Sequence, residues 1–314
     1  MLINFIRNQH AFFVLRHINF YLLLYIIISL IFMNKTIKGV DLNHLKVIKK
    51  SNKNAEVDLI FCHGIATEPG LHYKIIKRIK NVNHYDLGFP AHYKTEEKFK
   101  YKHLNIQYFA KLLVIFLREN PDLKNIVLAG HSMGCAVIMI ALNLMNKEER
   151  NRIKQILLGA PLTINTIFTA WNFTKYFTAD AHKADEKVIK KFFKDLFYDY
   201  QKFVEDFDKW FSLEFYKKTQ NDQKKLALSI MSPISVKNIL KSYHSFKEYE
   251  KVTIITADKD TLVPFRIIRA YIKRYLKGVR HIEIKKAGHA FILEHKKEYI
   301  EILKGIIESA KEVK

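Results

Sequence analysis

Asn125-Ile126-Val127-Leu128-Ala129 reads as a short buried strand, and Cys135 through Met145 reads as a helix. The five residues between them, Gly130-His131-Ser132-Met133-Gly134, decide the fold. A strand, a sharp turn carrying serine and a helix make a nucleophile elbow, and the turn is tight enough that positions two before and two after the serine must lack bulk. Both are glycine here. Such a turn lifts Ser132 into a site and leaves the backbone N–H of Met133 to bind an oxyanion. A bare Gly-x-Ser-x-Gly occurs in many ordinary turns; the flanking strand and helix, and partners downstream, raise this one above that background.

The partners lie on later strand ends. Val252-Thr253-Ile254-Ile255-Thr256 is a β-branched run suited to a buried parallel strand, and it leads into Ala257-Asp258-Lys259-Asp260-Thr261-Leu262-Val263-Pro264. His281-Ile282-Glu283-Ile284 forms a further strand before Lys286-Ala287-Gly288-His289-Ala290. Serine is a poor nucleophile at its own pKa. A histidine must remove its proton, and a carboxylate must fix the imidazole tautomer and stabilise its charged form. With 14 histidines in the chain, a given one is usually a surface or packing residue; His289 stands out because it follows Gly288 on the loop after the last strand. Asp258 and Asp260 compete for the acid role, and the spacing to Leu262-Val263-Pro264 favours Asp260.

Upstream, Glu56 through Cys62 is a strand ending in His63-Gly64-Ile65. A His-Gly pair there supplies the second oxyanion donor, the amide of Ile65; alone it reads as an ordinary glycine turn. The two cysteines, Cys62 and Cys135, give no disulfide framework and read as small buried thiols near the site, neither with a dedicated base.

Taken together, these residues resemble the α/β-hydrolases of the monoacylglycerol lipase and lysophospholipase type, which are grouped with serine-aminopeptidase-like hydrolases. The resemblance rests on His63-Gly64-Ile65, Glu68, His72-Tyr73, the Gly130–Gly134 elbow, Ala160-Pro161-Leu162, Asp260 before Leu262-Val263-Pro264, and Gly288-His289, and covers roughly residues 55–165 and 230–305. The chain order Ser132, Asp260, His289 is the order of that family. The resemblance implies Ser132, Asp260 and His289 as triad and Ile65 and Met133 as oxyanion donors. Two departures bear on substrate class. Asp86-Leu87-Gly88-Phe89-Pro90-Ala91-His92 replaces a glycine-rich turn, and Cys135 follows the elbow where a further glycine is common.

With 314 residues and 49% hydrophobic content, one α/β domain with an insertion is expected. Strands alternate with helical stretches such as 71–82 and 106–118, implying a mostly parallel sheet covered by helices on both faces. The core is expected over residues 35–165 and 230–314, with a helical cap over 166–229. There Ile189, Phe192, Phe193, Leu196, Tyr200, Phe203, Phe207, Trp210 and Phe211 recur at helical spacing. An apolar cap face over the nucleophile makes a dry acyl pocket, although most of these aromatics serve to fasten the cap to the core.

The formal charge is +22, yet residues 166–229 carry 12 Lys against 10 Asp and Glu. The excess gathers at Lys35, Lys38, Lys46, Lys49, Lys50 and Lys53 and again between Lys74 and Arg118. No nucleic-acid module accompanies it, so a nucleic-acid partner is not expected. Compositional drift in a chain rich in Lys, Ile, Asn, Phe and Tyr explains much of the excess. Attraction to anionic lipid, about 1 kcal/mol per basic residue near the surface, is the other reading. Residues 18–33 are an almost unbroken apolar run, slightly short of the roughly 20 residues of a bilayer span. No Ala-x-Ala-like cleavage site follows Ser29, which favours an uncleaved membrane anchor over residues 1–34 rather than a removed signal peptide. The lysines after the run outnumber Arg7 and Arg16 before it, placing the catalytic domain on the cytoplasmic side.

The expectation is a membrane-anchored serine hydrolase cleaving carboxylic esters of lipids such as monoacylglycerols or lysophospholipids, with no metal or organic cofactor. The alternatives are a thioesterase, peptidase or acyltransferase with the same triad, or a non-catalytic tethered scaffold, against which the intact triad speaks.

Overall fold

Strands form where short apolar, β-branched runs occur: β1 (Lys46–Lys50), β2 (Val57–Cys62), β3 (Val82–Gly88), β4 (Ile126–His131), β5 (Ile153–Gly159), β6 (Val252–Ala257) and β7 (Arg280–Ile284). The computed structural model describes residues 37, 39–93, 95, 99–162, 193–201, 210 and 212–312. Among these, the strands make one sheet in the order β1-β3-β2-β4-β5-β6-β7. All neighbours are parallel except β1, which runs antiparallel to β3. Register pairs such as Ile60 with Leu128 and Leu158 with Ile254 put apolar side chains side by side. The inner strands β2 and β6 are buried at every position, as expected where helices cover both faces. Edge strand β1 exposes Lys46, Lys49 and Lys50, and a charged edge discourages pairing with another chain.

Among the described residues the helices include α1 (Leu71–Ile76), α2 (Ile106–Glu119), α3 (Met133–Leu144), α4 (Lys147–Asn151), α5 (Leu213–Ile230), α6 (Pro233–Ser245), α7 (Phe265–Tyr275), α8 (Phe291–Glu294) and α9 (Lys296–Glu312). Helix α3 is buried at every position from Met133 to Leu142, because α2 and α6 flank it and the sheet lies beneath. Asn105 caps α2 by accepting the Tyr108 amide at 2.8 Å. Ser232 caps α6, whose first residue is Pro233.

The helix expected over 71–82 is shorter than its pattern: it stops at Ile76, and Val82 already belongs to β3. Asn81 adopts φ 58°, a left-handed conformation that asparagine tolerates, and from this turn the chain enters β3. The apolar run 18–33 lies outside the described residues, as do 166–192, 202–209 and 211 of the expected cap. Among the described residues no helix is long and apolar enough to cross a membrane.

Candidate active site

Ser132 sits between β4 and α3 with φ 53° and ψ −114°, a conformation that costs a non-glycine residue about 1–3 kcal/mol. The surroundings hold it there. Its amide donates to the Gly159 carbonyl at 2.8 Å, and its own carbonyl accepts the Cys135 amide at 3.1 Å. A Cβ on Gly134 would stand 1.9 Å from the Cys62 carbonyl oxygen, and one on Gly130 would stand 2.9 Å from the Cys135 nitrogen. The two glycines of the motif are therefore required by the packing of the turn on β2 and on its own helix.

Asp260 and His289 come together on neighbouring strand ends. Nδ1–H of His289 donates to Oδ2 of Asp260 at 2.7 Å, and both side chains are buried. The other carboxylate oxygen, Oδ1, accepts the amides of Leu262 at 2.9 Å and Val263 at 2.8 Å. The Leu262-Val263-Pro264 spacing thus orients the carboxylate. Asp258 has a different task. Its Oδ1 accepts the Ala287 amide at 3.4 Å, tying the loop after β6 to the loop that carries His289.

Ser132 and His289 line one cavity of about 70 Å³ with Phe61, Leu71, Ile75, Phe193, Leu196, Leu262, Ile292 and Leu293. Of the aromatic stripe, Phe193 and Leu196 reach this cavity, while Ile189, Phe192, Phe203, Phe207 and Phe211 lie outside the described residues. Ile65 also lines the cavity. An ideal Cβ on the preceding Gly64 would stand 3.2 Å from Cβ of Ser132, so the loop passes close to the serine. Met133 opens α3, where a helix amide has no intrahelical acceptor. Cys62 and Cys135 are free, buried thiols, pushed well above the usual thiol range by burial. The Cys135 thiol donates to the Gly159 carbonyl at 3.2 Å.

Several contributors have roles that the sequence does not assign. His131 donates Nε2–H to the backbone carbonyl of His289 at 2.9 Å, and burial, then the nearby His289, lowers it to about 3. Glu294 brackets the same loop, accepting the Gly288 amide at 2.6 Å and those of Tyr198 at 2.7 Å and Asp199 at 3.1 Å. His72 stacks on Phe61 at 3.7 Å, with one ring nitrogen on His84 and the other on the Tyr299 hydroxyl. Both of its polar atoms are thereby used away from the cavity. The buried Asp86 beside them is pushed up to about 7 by desolvation, partly offset by amide hydrogen bonds.

The chain is similar to a Mycoplasma genitalium protein provisionally named esterase/lipase 3, with 29% identity over 239 residues, covering 76% of this chain and 81% of that protein. A solved esterase from Exiguobacterium antarcticum superposes with a TM-score of 0.67 at 13% identity, over 84% of this chain and 95% of that one. A solved protein from Acinetobacter baumannii, provisionally titled a lipase, gives 0.66 at 16%, over 88% and 92%. At such low identity the structures speak for the fold alone. The family model described as "Alpha/beta hydrolase family" matches residues 59–302, which runs from within β2 to the first turns of α9 and takes in every residue of the site. The chain belongs to the alpha/beta hydrolase family.

Proposed function

We propose that the chain is a serine hydrolase of carboxylic esters in which Ser132, His289 and Asp260 form the triad. The observation that carries this reading is the cavity shared by a strained Ser132 and a His289 whose Nδ1–H is already committed to Asp260. With Nδ1 so engaged, Nε2 of His289 is the basic nitrogen. It takes the proton from Ser132 as the hydroxyl attacks the acyl carbonyl, then returns it to the leaving alcohol. The amides of Ile65 and Met133 hold the oxyanion, and water releases the acid from the acyl-enzyme. The names of the relatives support the ester class.

An apolar lining suits an acyl chain. Lipid esters of the monoacylglycerol or lysophospholipid kind remain the proposed physiological substrates. Their supporting feature is the apolar run 18–33, read as an anchor that keeps the catalytic unit on the cytoplasmic membrane face with help from the lysines that follow.

A fluorophosphonate probe is expected to label the protein one-to-one, and Ser132→Ala to abolish both labelling and hydrolysis. Labelling of the alanine variant removes Ser132 from the mechanism. A series of acyl esters of graded length, with thioester and peptide substrates alongside, then fixes the substrate class.

A further inference from the structure

A pair of buried imidazoles holds the Ile65 loop, and one of them belongs to none of the motifs above. His63 donates Nδ1–H to the Gly64 carbonyl at 2.8 Å, so Nε2 carries a lone pair, which accepts the Phe89 amide at 3.3 Å. His92, in the turn after β3, mirrors this arrangement. Its Nδ1–H donates to the Pro90 carbonyl at 3.0 Å, and its Nε2 accepts the Ala66 amide at 3.2 Å. Each ring thus holds the loop that carries the other. The rings lie 4.4 Å apart and both are fully buried.

The held residue is not relaxed by itself. Ala66 has φ 62°, where a side chain costs about 1–2 kcal/mol, so its conformation depends on its partners. The amide is fixed by His92, and the carbonyl by the Tyr216 hydroxyl from α5. Gln223 of the same helix reaches the Ala91 carbonyl next to His92 at 3.4 Å. Ile65 lies between Gly64, whose carbonyl His63 occupies, and Ala66.

We infer that His92 is a positioning residue for the oxyanion hole: by accepting the Ala66 amide, its Nε2 lone pair sets the direction of the adjoining Ile65 N–H relative to Ser132. The inference rests on the reading of Ser132 as nucleophile and of the Ile65 amide as oxyanion donor. It assigns a role to the sequence departure at Asp86–His92. Where a glycine-rich turn is common, this chain spends a buried, unprotonated imidazole on the oxyanion loop.

The test compares His92→Leu, which fills similar space without an acceptor, with His92→Gln, whose carbonyl oxygen can accept an amide, both in the full-length chain. With a short-chain ester, His92→Leu is expected to lower kcat by about 10- to 100-fold, below the cost of deleting an oxyanion donor outright, while KM changes by less than about threefold. His92→Gln is expected to restore most of kcat. Affinity for a boronic acid, which forms a tetrahedral adduct on Ser132, is expected to fall in parallel with kcat. A folded His92→Leu with kcat within about twofold of the parent, or equal losses in both variants with unchanged boronate affinity, overturns the inference. Should the leucine variant not fold, the ring nitrogens of ¹⁵N-labelled wild type decide the matter. The Nδ1–H tautomer at His92 supports the assignment, and an Nε2–H tautomer or a protonated ring overturns it. Failure of the hydrolase reading looks different: wild type neither hydrolyses esters nor labels at Ser132, while the His92 tautomer stays as described.

Discussion

At Asp260 the two carboxylate oxygens are divided between tasks, one receiving His289 and the other the amides of Leu262 and Val263. An asparagine keeps the shape but presents an amide that favours the wrong imidazole tautomer. Asp260→Asn is therefore expected to lose about 10⁴ in kcat, measured on a soluble ester, with little change in fold. Asp258→Asn, which alters a long bond to the Ala287 amide and a loose ion pair with Lys259, is expected to stay within about threefold. The opposite ranking would exchange the roles of the two carboxylates. At Gly134 the constraint is steric. A methyl group would collide with a backbone carbonyl of β2, which no side-chain rotation relieves. Gly134→Ala is expected to cost about 3 kcal/mol or more in urea unfolding, and a midpoint near that of the parent would show that the turn can move away from β2.

Among the elements, α8 matters more than its length suggests. It presents Glu294 to three backbone amides, one beside His289 and two in the segment 193–201 that contributes Phe193 and Leu196 to the cavity. That segment also presses on Gly288, where a Cβ would stand 2.5 Å from the Leu196 carbonyl. Glu294→Ala leaves these amides without their acceptor. It is expected to destabilise by about 1–3 kcal/mol and to lower kcat/KM, since the His289 loop and one cavity wall loosen together. If thermal melting and kinetics are both unchanged, the bracket is not what holds the two segments. None of this is readable from Phe291-Ile292-Leu293-Glu294, because a carboxylate after three apolar residues looks like an ordinary helix surface position.

For the molecule as a whole, the buried histidines set the response to acid. In the folded chain desolvation lowers His63 to about 4 and His84 and His131 to about 3, and holds His72 and His92 well below 6.5. Unfolding returns each to an ordinary value, so each takes up a proton below about pH 6.5. Asp86 acts in the opposite sense: lifted from 3.8 to about 7, it releases a proton on unfolding across the same window. Five imidazoles outweigh one carboxyl. The histidine contribution is complete above about pH 6.5 and is lost progressively as pH falls below it, because the unfolded chain then binds protons that the buried rings do not. Urea midpoints measured against pH are expected to drop steeply over that range; a flat profile would mean that these rings are protonated in the folded state. A chain beginning at Asn34 is expected to hydrolyse a soluble short-chain ester at nearly the full rate and to leave the membrane fraction, or to be released from it by high salt. If it is insoluble or inactive on that ester, residues 18–33 belong to the folded core.

The fold and the principal chemical groups were legible because their signals are local. The elbow needs glycine two positions either side of Ser132, buried parallel strands read as short β-branched runs, and an Asp and a Gly-His pair follow two of those strands in chain order. The pairing of His289 with Asp260 and not Asp258 also has a local signal, since the amides that orient the carboxylate lie two and three residues onward. Everything that depends on loops meeting across the sheet was not. His92 meets Ala66 across 26 residues, Glu294 meets Tyr198 across 96, and His131 meets the His289 carbonyl across 158. Such contacts leave no periodicity, because a buried hydrogen bond constrains where two segments lie in space and not their separation along the chain. The short α1 shows the same division: its apolar spacing runs on toward Val82, and the return of the chain into β3 beside β2 ended the helix instead.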